Sequence, residues 1–186
     1  MLRYTGRMSN YHHILKGVRE RHAQSQLMFY DLFIRPVFRS AYAIVGNESE
    51  AEEIAQDTML KVFDRTELLN DDASVMERIV RRIASNAAID MTRRRKDFIF
   101  SSDELTDFED TGSEYEAPDF SMEEIREAIA TLSDSYRSIL SLRLFEEMGF
   151  AEAAELLDVN CSTVRVQYVR GIEKLRNYLI KTRSYE

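Results

Sequence analysis

Gly149–Leu179 reads GFAEAAELLDVNCSTVRVQYVRGIEKLRNYL, and its apolar spacing predicts two helices joined by a tight turn. Phe150, Ala153, Ala154 and Leu157 recur at one-, three- and four-residue intervals and so gather on one face of the first helix. Asp158, Val159 and Asn160 make the turn. Val164, Tyr168, Ile172, Leu175 and Leu179 carry the same stripe along the second helix, which leaves its other side open to a ligand. That side holds Arg165, Val166, Gln167, Val169 and Arg170. An arginine near the start of such a helix suits a guanine edge, which takes two hydrogen bonds, and small apolar side chains suit thymine methyls. An ordinary helical hairpin would carry the same two stripes, so the reading depends on the rest of the chain.

The 186 residues allow one mid-sized domain or two small ones. Only 6 Gly and 2 Pro interrupt long helical periodicities, which predicts an all-helical class with no competing strand or hairpin. Apolar runs are too short to span a bilayer and the N-terminus lacks a signal-peptide pattern, so a cytoplasmic protein with no stable membrane insertion is expected. The lone cysteine, Cys161, excludes an internal disulfide and offers no metal-ligand pair; at the start of the second helix it reads as a small polar starter residue. His12 and His13 have no further ligand at a metal-binding spacing, and neither a metal nor a cofactor is expected. Without a Gly-rich phosphate loop or an activated nucleophile, the chain does not read as an enzyme.

A net charge of -8 argues at first against a nucleic-acid partner, but its distribution reverses that inference. Met76–Lys96 carries seven cations against two carboxylates, a net of +5, and Thr163–Glu186 carries six against two, a net of +4. Between them, Asp97–Phe120 has nine carboxylates and no Lys or Arg. Two basic surfaces are thus separated by a strongly acidic strip.

Residues 1–25 form an N-terminal extension of weak periodicity with no assigned chemistry, in which Met8 is an alternative start to Met1. From Gln26 to Val45, Leu27, Tyr30, Leu32, Phe33, Val37, Phe38, Ala41 and Ile44 make an apolar stripe, with a kink or boundary at Pro36. Gly46 and Asn47 break it. Glu48–Asp64 then buries Ala51, Ile54, Ala55, Thr58, Met59, Val62 and Phe63 and turns Glu52, Glu53, Gln56, Asp57, Leu60 and Lys61 outward.

A polar loop follows from Arg65 to Ala73, and Ser74–Glu77 reads as a capping box opening a long helix. That helix turns Met76, Ile79, Val80, Ile83, Ala84, Ala87 and Met91 inward and Arg78, Arg82, Ser85, Asn86, Ile89 and Arg93 elsewhere. It ends in the basic run Arg93–Lys96, where positive charge suits the helix dipole. The acidic stretch reads as a flexible tether. A second capping box, Ser121–Glu124, opens a helix with Ile125, Ala128, Ile129 and Leu132, and Ser133 caps the next, whose inward residues are Tyr136, Ile139, Leu140 and Leu144. The expected plan is two small helical domains, 26–96 and 121–186, joined by the acidic linker 97–120.

Three segments in this order carry a resemblance: EAEEIAQDTMLKVF (Glu50–Phe63), RRIASNAAIDMTRRR (Arg81–Arg95), and Leu132–Arg176, which contains the helix–turn–helix. Together they resemble the extracytoplasmic-function group of bacterial RNA polymerase sigma factors, with 26–96 similar to sigma region 2 and 121–186 to sigma region 4. The resemblance implies a non-enzymatic specificity subunit that binds core RNA polymerase and promoter DNA. Region 2 would dock on the largest-subunit clamp helices and region 4 on the second-largest-subunit flap, and an anti-sigma factor would hold the protein inactive.

Carried over residue by residue, Gln56, Asp57 and Leu60 match clamp-facing positions. Arg82, Asn86, Arg93 and Arg94 match positions at the minus-ten element, Asn86 on the nontemplate strand and the arginines on phosphates. Arg165, Val166, Val169 and Arg170 match minus-35 major-groove positions, with Thr163 and Gln167 set for phosphate. Asp90 is read as structural, pairing with Arg93 or Arg94 one turn later.

Three departures from the family pattern matter. Ile79 stands where a tryptophan is frequent, and the chain has no tryptophan, so base capture in melted DNA falls to the loop around Leu69, Asn70 and Asp71. Asp158 replaces the glycine of the turn, and Val166 replaces a serine, which suggests contact with a thymine methyl. A sigma-mimicking adaptor that sequesters an anti-sigma factor without binding DNA is the alternative, and it should have lost the basic surfaces retained here.

Overall fold

The computed structural model describes residues 5–95 and 120–183. Among them the backbone forms eight α-helices and one 3-10 turn, and no strand. In chain order these are α1 Thr5–Arg19, α2 Ala23–Val45, α3 Glu48–Asp64, the 3-10 turn Thr66–Leu68, α4 Ala73–Arg93, α5 Met122–Ala130, α6 Asp134–Leu144, α7 Phe150–Leu157 and α8 Cys161–Arg183. The acidic stretch 97–119 lies outside the described residues. Among the described residues two compact units result: one gathers 5–42 with Asn47–Ala88, the other Ala43–Gly46 with 89–95 and 120–183.

In the first unit, Phe29, Phe33 and Val37 on α2 are buried at four-residue spacing and set the phase of the helix. Leu27 and Leu32, expected in the core, fall off that line and are 54% and 43% exposed, while Phe29 anchors an aromatic cluster with Phe33 at 4.6 Å and Phe63 at 5.8 Å. Pro36 neither ends nor begins a helix, for α2 runs through it. The carbonyl that loses its hydrogen bond to the proline belongs to Leu32, an exposed residue. α3 buries Ala51, Ile54, Ala55, Thr58, Met59 and Val62 as its spacing predicts, with Phe63 half-buried. Asn47 caps it, its side-chain oxygen accepting from the Glu50 amide at 3.0 Å.

α1 belongs to this unit as well. Tyr11, Ile14, Leu15 and Val18 repeat at helical spacing and are all buried, so the segment read as an extension without chemistry supplies core. Each such side chain contributes about 1.5–3 kcal/mol relative to exposure.

The long helix α4 differs from expectation at its start and on its buried face. Asp72 caps it, not Ser74: its Oδ1 accepts from the amides of Ser74 at 2.8 Å and Val75 at 3.3 Å and from the Ser74 hydroxyl at 2.6 Å. Two residues earlier, an aspartate caps the first orphan amides of the helix with a charge that also suits the helix dipole. Ser85 and Ile89, expected to project outward, are buried beside Ala84 and Ala88, because the inward stripe drifts round the helix over five turns.

The second unit is built from α5 to α8 around Ala128, Ile129, Leu140, Leu175 and Leu179, with Phe120, Ile125, Leu132, Phe145, Tyr168 and Ile172 packed against them. Ser121 and Glu124 form the expected capping box of α5. Ser133 stands at the start of α6 in extended conformation without a side-chain cap bond, and Leu144, expected inward, is 36% exposed at the last turn. Gly171 of α8 faces α6: a Cβ there would come within 3.3 Å of Leu140 and Tyr136, so the absence of a side chain lets the two helices approach.

Arg137 on α6 organises the rest of this unit. Its guanidinium, buried with its residue at 6% exposure, donates to the carbonyls of Ile44 at 2.9 Å, Val45 at 3.0 Å and Leu132 at 2.9 Å, and pairs with Asp134. Arg95 adds a bond to Val45 O at 3.1 Å and one to Asp134 at 3.0 Å. The last carbonyls of α2 have no intrahelical partner, and these two cations satisfy them where the dipole is negative. Gly46 completes the exit with φ +67, and a Cβ there would lie 2.9 Å from Arg137 Cζ.

Candidate nucleic-acid and polymerase interface

In the second unit the helix–turn–helix is α7, Asp158–Asn160 and α8. Glu152 accepts from the Gly149 amide at 3.3 Å and so closes the first turn of α7. At the other end Asp158 adopts the left-handed conformation (φ 57, ψ 47), its amide donating to Glu155 O at 3.2 Å and that of Val159 to Ala154 O at 3.0 Å. This is the bond pattern that ends helices at glycine, here made by an aspartate, one of the few side chains that tolerate it. The Val164 amide then bonds Asn160 O at 3.1 Å as α8 begins.

Inward, Ala153, Ala154, Leu157 and Val164 are buried. Phe150 and Tyr168 meet edge to face at 5.4 Å, with the Arg143 guanidinium over Phe150 at 4.2 Å. Outward, Arg165 and Val169 are exposed and Thr163, Val166 and Arg170 partly so, which places these five on the accessible side of α8. Arg165 also lies 5.7 Å from the Phe150 ring centre. Gln167 does not join them. At 3% exposure it sits between Val164 and Gly171 on the buried stripe, three residues from the first and four from the second, and not on the accessible side.

The C-terminal end of α4 belongs to this unit. Arg93 and Arg94 are both exposed there. Arg93 pairs with Asp158 at 3.0 Å rather than with Asp90.

In the first unit, Arg82 and Asn86 are exposed one turn apart on α4, and Gln56, Asp57 and Leu60 are exposed together on α3, Leu60 at 60%. Leu27, expected inward, and Met28 are exposed on α2 and add apolar surface. The loop before α4 is less open than expected. Leu69 is 9% exposed, the Asn70 amide donates to Met76 Sδ at 3.4 Å, and the Asn70 side-chain oxygen accepts from the Asp72 amide at 2.9 Å. Asp71 remains exposed.

Two residues missed in the sequence bind this loop. Tyr11 Oη donates to Asn70 O at 2.9 Å, and Arg19 donates to Asp71 Oδ1 at 3.2 Å. Burial, with Asp71 and Asp72 nearby, pushes the Tyr11 phenol well above its ordinary value and keeps it a donor. The hydroxyl and amides of Ser74, with the amide of Val75, hold Asp72 below its ordinary value. The spacing of Tyr11, Ile14, Leu15 and Val18 was the available signal for α1. Among the described residues there is no group of three or more metal-binding side chains and no helix long and apolar enough to cross a membrane.

Comparison with known proteins places this geometry. Residues 29–98 match the family model described as Sigma-70 region 2, and residues 122–175 that described as Sigma-70, region 4. The RNA polymerase sigma factor SigV of Bacillus subtilis is 28% identical over 144 residues, 77% of this chain and 84% of that protein. The ECF RNA polymerase sigma factor SigW of the same organism is 27% identical over 161 residues, 80% of this chain and 86% of its own length. Among solved structures, the sigma factor RpoE of Bartonella quintana, crystallised with the anti-sigma factor NepR, shares the fold with a TM-score of 0.50 at 17% identity, covering 84% of this chain and 95% of that one. The chain belongs to the sigma-70 family, within its extracytoplasmic-function group, and is a promoter-directing sigma factor.

Proposed function

We propose that the region 2 and region 4 segments of this chain read the two promoter elements. Arg165, Val166, Val169 and Arg170 enter the major groove at the minus-35 element, with Thr163 on a phosphate. Arg82, Asn86, Arg93 and Arg94 hold the nontemplate strand at the minus-ten element, Leu69, Asn70 and Asp71 form its base-capture loop, and Gln56, Asp57 and Leu60 dock on the clamp of core polymerase. Leu69, itself buried, supports the loop from beneath. The proposed domain limits are 26–96 and 121–186, although α1 packs with the first unit and the end of α4 from Ile89 with the second. The flap of the second-largest subunit is the contact for region 4.

The observation that carries the reading is the exposed cationic face of α8 behind a fully formed helix–turn–helix, with Arg165 one turn after Cys161 at its start. Catalysis belongs to the polymerase, the site of action is the cytoplasm, and an anti-sigma factor is the regulatory partner, as in the crystallised Bartonella quintana pair. Purified chain added to sigma-free bacterial core polymerase should give discrete transcript starts on fragmented bacterial DNA, sharing two upstream elements at fixed spacing. Binding to core without any directed start would establish the adaptor instead. Arg165→Ala should weaken use of those promoters by about 1–3 kcal/mol, with relaxed selectivity at one minus-35 position. A uniform loss across sequences would make Arg165 a phosphate contact.

A further inference from the structure

The loop assigned above to base capture is held by local bonds and by two from elsewhere. The local ones run from the Asp72 amide to the Asn70 side chain and from the Asn70 amide to Met76 Sδ, next to the cap that Asp72 makes on α4. The other two come from α1, across 59 and 52 residues of sequence, and fall on Asn70 and Asp71. Tyr11 holds the carbonyl of the peptide that links these two residues. The orientation of that peptide sets where both side chains project.

Tyr11 is itself immobilised, 4% exposed and edge-on to Phe33 at 6.2 Å. The Arg19–Asp71 pair is different in kind. Both side chains are solvated, at 44% and 65%, so the pair adds little to folding and acts on the Asp71 carboxylate, which makes no cap on α4. Extruding a base from the stack costs free energy that a preformed pocket offsets and a loose one does not, since a loose loop must also be ordered at that moment.

We infer that Tyr11 and Arg19 are positioning residues for the Leu69–Asp72 loop, so that the N-terminal helix sets base selectivity at the minus-ten element without touching DNA. The inference depends on the base-capture reading of the loop, and the experiment separates the two. Holoenzyme assembled from the full chain and sigma-free core polymerase transcribes a promoter library randomised across the minus-ten region. Sequencing the transcripts gives the base preference at each position, while core affinity and the melting temperature of the free chain are measured beside it.

Tyr11→Phe and Arg19→Ala should each reduce the ratio of best to worst base at the captured position by about five- to tenfold, at the low end of what one misread base carries. Core affinity and the minus-35 preference should stay as in the wild type, and Arg19→Lys should restore part of the ratio. Selectivity unchanged in Tyr11→Phe and Arg19→Ala, with Asn70→Ala flattening it, would leave the loop as the reader and overturn the role of α1. No change in Asn70→Ala or Asp71→Ala at any minus-ten position would remove the base-capture reading, and the inference with it. Should Tyr11→Phe fail to fold, the exposed Arg19 variants decide alone.

Discussion

The two units each place a short connection before a helix assigned to DNA, and they hold its backbone by different means, with the Asp158 side chain paired separately to Arg93. Asp158–Asn160, before α8, is fixed by bonds to residues three to five positions back and by one left-handed residue. The loop ending at Asp72, before α4, depends on a helix more than fifty residues earlier in the chain. A turn closed locally survives changes elsewhere in its unit, whereas a loop closed at long range inherits the stability of the element that closes it.

The sharpest way to break that contrast is in α1. Leu15 is fully buried, and Leu15→Ala should destabilise the first unit by about 2–5 kcal/mol. Amide exchange should rise at Leu69–Asp72 and stay unchanged at Asp158–Asn160; equal deprotection of both segments would sink the distinction. Asp158→Val addresses the local turn, where a β-branched side chain in left-handed conformation costs about 1–2 kcal/mol. The loss should register in the melting of the second unit alone.

The smallest effect is that of acid on the cap of α4. Asp72 titrates below its ordinary value of 3.8, so its stabilisation is fully present above that value and is lost as the pH falls through the lower, folded one. A carboxyl titration of Asp72 followed by NMR should find that midpoint below 3.8, with the Ser74 amide shifting in step. A midpoint at or above 3.8 would mean that the cap does not hold the charge in solution.

What the sequence made legible follows the same division. The helix–turn–helix, the face of α3 and the capping box of α5 were readable because each is decided within a few residues, by spacing or by a side chain three positions from the amide it caps. Three kinds of feature were not. Leu27 and Leu32 were misplaced because α2 is apolar on more than one side, and only the packing of Phe29 and Phe33 fixes its phase. Gln167 is polar on a stripe of apolar residues, so composition placed it outward while geometry places it in. Tyr11 and Arg19 bond partners that no local pattern announces.

Asp158 answers two demands at once. The left-handed backbone favours glycine, asparagine or aspartate there. The pairing with Arg93 at 3.0 Å needs a carboxylate. Of the three letters that geometry favours at this position charge leaves one, so substitution by glycine would keep the turn and silence the ion pair.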